Sequence, residues 1–244
     1  VKEIIEIQEF DASTYSRQMD PEAIELDAQV MTQLREYVIA ISSMYDENAF
    51  HSSVHASHVS MSVAKLLSRI VAPEMVITDA SGKSDGVIGS EMHDHTYGIA
   101  SDPLAQFACV FSALIHDVDH PGVPNSRLVQ DKSPMALEYK GKSVAEQNSV
   151  DIAWTLLMGR KYSKLRDAIC PTKQELLRFR QLVVNIVMAT DIVNKDLKQL
   201  RDNRWDKAFS EPFQEPTRDR MNRKATIVIE HLIQASDVAH TMQH

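Results

Sequence analysis

The sequence predicts an all-α fold, a compact multi-helix domain, on two observations. Only seven glycines and nine prolines occur among 244 residues, fewer than the many tight turns of an all-β fold require. Apolar residues instead recur over long stretches at intervals near 3.6, which is the spacing of one face of a helix. The chain is 43% hydrophobic and 25% charged, as globular domains are. We therefore interpret residues 1–244 as one domain.

Two helices are predicted after an irregular start over residues 1–20. The first begins at Pro21, because Asp20-Pro21-Glu22 offers a cap, a first-turn proline and an acid that suits the helix dipole. The second covers residues 52–71. Their apolar stripes consist of Leu26, Val30, Leu34, Val38 and Ile41 in the first helix, and of Val54, Val59, Val63, Leu66, Leu67 and Ile70 in the second.

A long loop is predicted next, over residues 72–102, because this stretch lies between Pro73 and Pro103 and holds four of the seven glycines. Loops of this length are uncommon in compact domains and are usually functional or mobile. Helical periodicity then resumes, with shorter pieces between the main segments. Those segments are residues 103–116, 142–158, 173–190 and 218–241.

Composition narrows the class of function and the location. The net charge of −8 argues against a nucleic-acid binder, although bound metal ions can still attract a small phosphate-bearing molecule. Cys109 and Cys170 stand far apart and predict neither a disulfide nor a thiolate metal site. No apolar run approaches the roughly 20 residues of a membrane span, and no signal-peptide pattern is present. We expect a cytoplasmic chain without membrane contact, or the cytosolic domain of a larger protein.

The two ends indicate a piece of a longer protein. The chain starts at Val1 rather than at methionine, and it stops at His244 inside a helical pattern. The parent chain then has room for regulatory or transmembrane domains, and the sequence leaves the oligomeric state open.

The most informative segment runs from Phe111 to Gly122, where an apolar helix meets His116-Asp117-Val118-Asp119-His120 and is stopped by Pro-Gly. Ionisable groups at the end of a buried helix are costly to desolvate unless something pairs with them. Imidazole and carboxylate together suit Zn²⁺, and the oxygens also suit Mg²⁺ or Mn²⁺. The alternative is a solvent-exposed helix end.

A second pair of histidines, His51 and His55, lies four residues apart and therefore on one helical face. Ser52 or Ser53 can cap the helix, which places His55 in the first turn, where the helix dipole favours a neutral imidazole. His58 is interpreted as a surface or core histidine rather than as a metal ligand.

A third candidate is Asp237, which follows a largely apolar turn. A buried carboxylate at that position needs a cation. The alternative is an exposed aspartate, which is the default on an amphipathic helix.

Together these segments give an all-nitrogen-and-oxygen ligand set on separate helices, which is typical of a metal-dependent phosphohydrolase. Asp117 is placed to bridge two ions about 4 Å apart, with His55, His116 and Asp237 completing the tighter site. His51, one turn from His55, is placed to protonate the leaving oxygen as general acid.

The motifs resemble those of the class I cyclic-nucleotide phosphodiesterase catalytic domain, from roughly residue 30 to the end of the chain. The His-Asp-Val-Asp-His-Pro-Gly-Val stretch is highly specific, and the others support it. In chain order the matching stretches are Phe50-His51 with His55-Ala56, Ala113 to Asn125, Ala145-Glu146-Gln147, Met188-Ala189-Thr190-Asp191 and Ala235-Ser236-Asp237.

This resemblance implies an all-helical domain that hydrolyses the 3′ ester of cyclic AMP or cyclic GMP to the 5′-monophosphate. It also implies Zn²⁺ in the tight site and Mg²⁺ or Mn²⁺ in the second site. By position, the resemblance implies that His51 is the proton donor and that Glu146 is the acid that orients His51. It implies that the metal ligands are His55, His116, Asp117 and Asp237. The residues that it places beside the metals or the substrate are His120, Asn125, Thr190 and Asp191.

The sequence departs from the family in three places. Ser52 stands where asparagine is usual, and Asn148 and Ser149 stand where histidines are common. The chain ends seven residues after Asp237, so we expect the C-terminal base-binding part to be missing and nucleotide preference to be undetermined.

Two hypotheses compete with a cyclic-nucleotide phosphodiesterase. One is another metal-dependent His-Asp phosphohydrolase, and the other is a non-catalytic binding module with a decayed or truncated site.

Two other histidine groups are set aside as metal ligands. His93-Asp94-His95 is interpreted as a solvated loop cluster, and His240 and His244 as the continuation of a helix face.

Overall fold

All regular secondary structure is helical in the parts of the chain that a computed structural model describes, which are residues 1–13, 24–71, 85–210 and 217–239. These parts contain no β-strand, which confirms the all-α prediction. None of their helices is both long and apolar enough to cross a membrane. Their α-helices are α1 Ala28–Ser42, α2 Ser53–Val71, α3 Asp85–His95, α4 Pro103–Ile115, α5 Asn125–Gln130, α6 Pro134–Glu138, α7 Val144–Met158, α8 Ser163–Ile169, α9 Lys173–Met188, α10 Lys195–Phe209 and α11 Thr217–Ala239, with short 3-10 turns at Ile99–Ser101 and Arg160–Tyr162.

Helix α4 forms the centre of the core. It packs against α2 on one side and α9 on the other, while α11 packs against both α2 and α4. Its alanines Ala105, Ala108 and Ala113 are fully buried, and such small side chains let neighbouring helices approach closely. Because α2, α4 and α11 contact one another, the functional side chains that they carry can meet.

The predicted helices at residues 52–71, 103–116, 142–158 and 173–190 are confirmed as α2, α4, α7 and α9. The helix predicted over residues 218–241 is confirmed as α11 up to Ala239, and residues 240–244 lie outside the described part.

The helix predicted from Pro21 begins later than expected. Its proposed cap lies outside the described residues, and residues 24–27 are not helical. Helix α1 starts at Ala28 because the Asp27 carboxylate accepts hydrogen bonds from Gln29 N at 2.8 Å and Val30 N at 3.1 Å. Leu26 is consequently exposed rather than part of the apolar stripe.

The loop predicted over residues 72–102 is wrong in its second half. Residues 72–84 lie outside the described part, but α3 occupies Asp85–His95. Ile88 and Met92, four residues apart, are both buried, so tertiary packing outweighs the low helix propensity of the glycines. His93, interpreted above as part of a solvated loop cluster, instead lies buried in the last turn of this helix, and its Nδ1 lies 2.5 Å from Ser101 Oγ.

The N-terminal segment, residues 1–13, is irregular as predicted and also contributes to the core. The N–H groups of Ile5 and Ile7 donate to Thr226 Oγ1 at 3.0 Å and Asn222 Oδ1 at 3.1 Å, both on α11. Arg204 on α10 is fully buried, forms an ion pair with Glu230 on α11, and donates to the Glu3 carbonyl. Arg204 thereby joins the segment to α10 and α11.

Replacing Arg204 with alanine is expected to lower the free energy of unfolding by about 3–5 kcal/mol, because Glu230 would remain buried without its cation. Denaturant-induced unfolding followed by circular dichroism measures the change. The control is Lys207→Ala on the same helix, which removes an exposed ion pair with Glu3 and should cost less than about 1 kcal/mol. Equal losses in the two variants would contradict this role of Arg204.

Candidate metal centre

Three helices bring the four predicted metal ligands together. His55 lies in the first turn of α2, His116 and Asp117 follow the end of α4, and Asp237 lies near the end of α11. His55 Nε2 is 2.9 Å from Asp237 Oδ1 and 3.7 Å from Asp117 Oδ2. His116 Nε2 is 3.2 Å from Asp117 Oδ2 and 3.5 Å from Asp237 Oδ1. Side chains 182 residues apart thus meet in one site.

The tautomer of His116 shows why this site suits a cation. His116 Nδ1 lies 2.9 Å from the Ala113 carbonyl oxygen, which can only accept, so Nδ1 carries the proton of a neutral ring. The Nε2 lone pair then faces two carboxylates, and this buried atom has no hydrogen-bond partner among the described residues. A nitrogen lone pair and carboxylate oxygens facing one another require a positive charge between them.

The charge state of the same atoms supports this conclusion. Burial lowers the pKa of His116, but Asp117 and Asp237 outweigh it and raise the pKa to about 10. Burial also opposes ionisation of both aspartates, yet His116 holds the pKa of each below its usual range. A divalent ion would supply the positive charge that a proton otherwise brings, and the nitrogen-oxygen donor set fits Zn²⁺ or a similar ion.

Local structure fixes the ligands in place. Ser52 Oγ accepts a hydrogen bond from His55 N at 3.3 Å, so Ser52 caps α2 as one of the two serines considered. After Asp117 the chain turns sharply at Asp119, whose φ of 59° is in the left-handed region. Asp119 N donates to the Met44 carbonyl at 3.1 Å, which anchors the turn to the end of α1.

Asn148 and Ser149, where the family commonly has histidines, support this turn. Asn148 Nδ2 donates to Asp119 Oδ2 at 2.9 Å, and Ser149 Oγ donates to the Val118 carbonyl at 2.7 Å. The sequence marked both positions only as departures. Their positions two and three residues after Glu146 were the one hint in the sequence that they lie near the site. Their bonds to the turn at Asp119 depend on how α7 packs, which the sequence does not show.

His51 and His120 form a second histidine pair beside the first cluster. Their rings stack with centroids 3.7 Å apart and planes at 17°. Ligand atoms of His51, His120 and Asp117 lie within 4.8 Å of one another, as do those of His55, His116 and Asp117. Asp117 therefore belongs to both groups, which is the position expected of a bridging ligand.

Both stacked rings favour the neutral form. Burial lowers the pKa of His51, and Asp117 only partly offsets this effect. Burial and the neighbouring His51 lower the pKa of His120 to about 4. His120 Nδ1 accepts a hydrogen bond from Gly122 N at 3.1 Å, so the proton of its neutral ring lies on Nε2. The sequence reasoning did not anticipate this stacking.

Glu146 and Asn125 are brought together, whereas Glu146 and His51 are not. Asn125 Nδ2 donates to Glu146 Oε2 at 2.8 Å, and Asn125 Oδ1 accepts from Ala145 N at 2.9 Å. Burial raises the pKa of Glu146 although the bond from Asn125 lowers it. No hydrogen bond between Glu146 and His51 occurs within the described residues, so the orienting role of Glu146 stays a prediction.

Thr190 and Asp191 make local hydrogen bonds. Thr190 Oγ1 donates to the Val187 carbonyl at 2.8 Å. Asp191 is buried, and its carboxylate accepts from Ser143 Oγ at 2.7 Å and from Asn194 N at 3.0 Å. These bonds tie the start of α7 to the connection between α9 and α10. A substrate-binding role for either residue stays a prediction.

Comparison with known proteins identifies the class and then the family. The helical fold and the His-Asp cluster define an all-α protein with a metal-binding group. The family model for 3'5'-cyclic nucleotide phosphodiesterase matches residues 50–244, which include every predicted site residue. The chain belongs to the 3'5'-cyclic nucleotide phosphodiesterase family, and the resemblance inferred from its motifs is confirmed.

Curated relatives are similar over about two thirds of the chain. It is 32% identical over 170 residues to the rat 3',5'-cyclic-AMP phosphodiesterase 4C, covering 69% of this chain and 26% of the relative. It is 29% identical over 166 residues to the probable 3',5'-cyclic-AMP phosphodiesterase pde-4 of Caenorhabditis elegans, covering 68% of this chain and 20% of the relative. The chain thus spans about a quarter or less of the length of these relatives.

Solved structures support the fold. The chain matches the phosphodiesterase domain of the RhoPDE fusion protein from the choanoflagellate Salpingoeca rosetta with a TM-score of 0.61 and 21% identity, over 87% of this chain and 56% of that one. A second structure is that of the phosphodiesterase domain of Salpingoeca rosetta rhodopsin phosphodiesterase. Its TM-score is 0.63 and its sequence identity 19%, over 88% of this chain and 55% of that one.

Proposed function

We propose that this chain hydrolyses the 3′ phosphoester of cyclic AMP or cyclic GMP to the 5′-nucleoside monophosphate, with two divalent metal ions. The observation that carries the proposal is the convergence of His55, His116, Asp117 and Asp237 within 2.9–3.7 Å. Family membership and relatives named cyclic-AMP phosphodiesterases support the substrate class.

The tight site would be formed by His55, His116, Asp117 and Asp237 and would take Zn²⁺, because its two imidazoles and two carboxylates suit that ion. Asp117, which also groups with His51 and His120, would share the second ion, Mg²⁺ or Mn²⁺. When bound, the ions supply Lewis-acid stabilisation of phosphoryl charge and lower the pKa of water.

His51 is the proton donor to the leaving 3′ oxygen. It is half-buried at the start of α2, stacked on His120 and next to Asp117. Its pKa is lowered by burial, and the negative phosphate of a bound substrate raises it again. The ring can therefore hold a proton when substrate is present. Stacking on neutral His120 fixes the ring plane, so the proton is delivered in one direction.

Two further parts of the proposal concern the residues around the metal site and the cellular location of the chain. Asn125, Thr190 and Asp191 would contact the substrate or the water of the second metal. Glu146 would hold His51 in its productive orientation once substrate is bound. The chain functions in the cytosol in cyclic-nucleotide signalling. Its two cysteines are free and buried, which is typical of proteins from reducing compartments.

Removing divalent metals with a chelator is expected to abolish hydrolysis of both cyclic nucleotides, because phosphoryl charge would then lack its counter-charge. The measurement is product formation from cyclic AMP and cyclic GMP, made on the longest polypeptide that contains these residues. Returning Zn²⁺ together with Mg²⁺ or Mn²⁺ should restore the rate. Full activity in the metal-free protein would overturn the mechanism, and bound metal without turnover of either nucleotide would favour a binding module.

A further inference from the structure

A second concave site lies along α2 and α11, the helices that carry His55 and Asp237, and none of its lining residues is a predicted site residue. The C-terminal half of α2, the middle of α11 and the end of α10 border an open cavity of about 570 Å³. Along α2, His55 lies eleven residues, about three helical turns, before the first lining residue, Leu66, and along α11 Asp237 lies five residues after the last, Leu232. This volume is within the range of about 300–1,000 Å³ that small-molecule sites occupy.

The walls of this cavity are apolar and aromatic. Ile227 and Leu232 on α11 are buried beneath it, and Ile70 of α2 lines one side. Trp205 and Phe209 form the outer wall with ring centroids 4.7 Å apart, although 48% and 54% of these residues remain exposed. Two adjacent aromatic rings left half in water are typical of a binding surface rather than of a finished core.

Charge at the rim selects an anion. The Lys224 ammonium lies 5.4 Å from the Tyr97 ring centroid and 5.6 Å from that of Phe209, so two aromatic faces hold it beside the cavity. Arg69 of α2 stands exposed at the same rim. None of the described residues that line the cavity is acidic, and neither cation forms an ion pair within the described part of the chain. In a chain of net charge −8, a positive rim without acidic neighbours among the described lining residues is a local exception.

We propose that this cavity binds an amphiphilic anion, with an apolar body and one carboxylate or phosphate group at its end. The body lies between the aromatic wall and the α11 floor, and the anionic end reaches Lys224 and Arg69. A nucleotide fits less well because the lining offers few hydrogen-bonding groups for a base and a ribose. His231, one of those few, already donates through Nδ1 to the Ile227 carbonyl at 2.8 Å.

Trp205 provides the test, because only one other tryptophan, Trp154, is present and it packs against Phe179 instead. We expect decanoate, added to the full chain below its micelle concentration, to shift tryptophan emission saturably with one site per chain. Decyltrimethylammonium has the same chain length and the opposite charge, and it should bind at least about tenfold more weakly. In Trp205→Phe the emission change should disappear while calorimetry still detects decanoate binding.

Charge variants decide whether the rim selects the ligand. Arg69→Gln and Lys224→Gln should each weaken decanoate binding by about threefold to tenfold. Lys65→Gln, on an exposed position of α2 outside the lining, is the matched control and should leave affinity unchanged. Because Arg69 is exposed, its variant tests the rim without disturbing the core. Equal affinity for the two amphiphiles, unchanged affinity in Arg69→Gln, or absence of saturable decanoate binding would each overturn the proposal.

Discussion

Replacing Asp117 with alanine is expected to abolish divalent-metal binding and to reduce hydrolysis of cyclic nucleotides by at least about a thousandfold. Asp117 is the residue shared by the two groups of candidate ligands, one with His55 and His116 and the other with His51 and His120. Its removal would therefore affect both metal positions at once. It would also leave His116 with one carboxylate neighbour, Asp237 at 3.5 Å, in place of two.

Metal content by elemental analysis and turnover with both nucleotides measure this effect. The matched control is Asp131→Ala, which removes an exposed carboxylate paired with Arg127 and should change neither readout. Circular dichroism and thermal unfolding establish that the Asp117 variant is folded. A folded variant that retained two metal ions per chain would contradict the bridging assignment.

Replacing His51 with alanine is expected to lower kcat by about a hundredfold to ten-thousandfold while metal content stays unchanged. A general acid acts on the leaving oxygen and not on the ions, so KM and metal binding should be little affected. The loss should shrink with bis(4-nitrophenyl) phosphate, whose leaving group departs without protonation. This second substrate separates proton donation from a general disturbance of the site.

His95→Ala is the control for His51, since His95 is exposed at the end of α3 and belongs to neither ligand group. If His51→Ala instead released a metal ion, His51 would be a ligand. The two roles have to be separated by experiment because the ligand atoms of His51, Asp117 and His120 lie within 4.8 Å of one another, which is close enough for His51 to bind a metal ion.

The cluster of candidate metal ligands could be predicted from the sequence because each of these residues lies in a short local motif. The apolar run of α4 ends at His116-Asp117, and the His51 and His55 spacing matches one turn of α2. Burial of such groups is unfavourable without a cation, so local pattern and chemistry already pointed to one site. Most helix positions followed for the same reason, because 3.6-residue periodicity is a local property.

One element was mispredicted because contacts distant in the sequence outweigh local propensity, and a second because the sequence offers two local starts for one helix. Helix α3 forms despite its glycines because Ile88 and Met92 are buried against the rest of the fold. Helix α1 starts at Ala28 because Asp27 caps it, and the pattern around Pro21 did not distinguish the two possible starts.

The sequence by itself determined the helical class and the family and predicted the candidate metal ligands, because these depend on residue types at fixed spacing. The tertiary structure alone decided the partners. It paired Glu146 with Asn125 rather than with His51, stacked His51 on His120, and used Asn148 and Ser149 to support the metal-binding turn. It also assembled the apolar cavity from α2, α10 and α11. Each of these contacts joins side chains through the packing of helices, and local spacing does not encode which faces of two helices will meet.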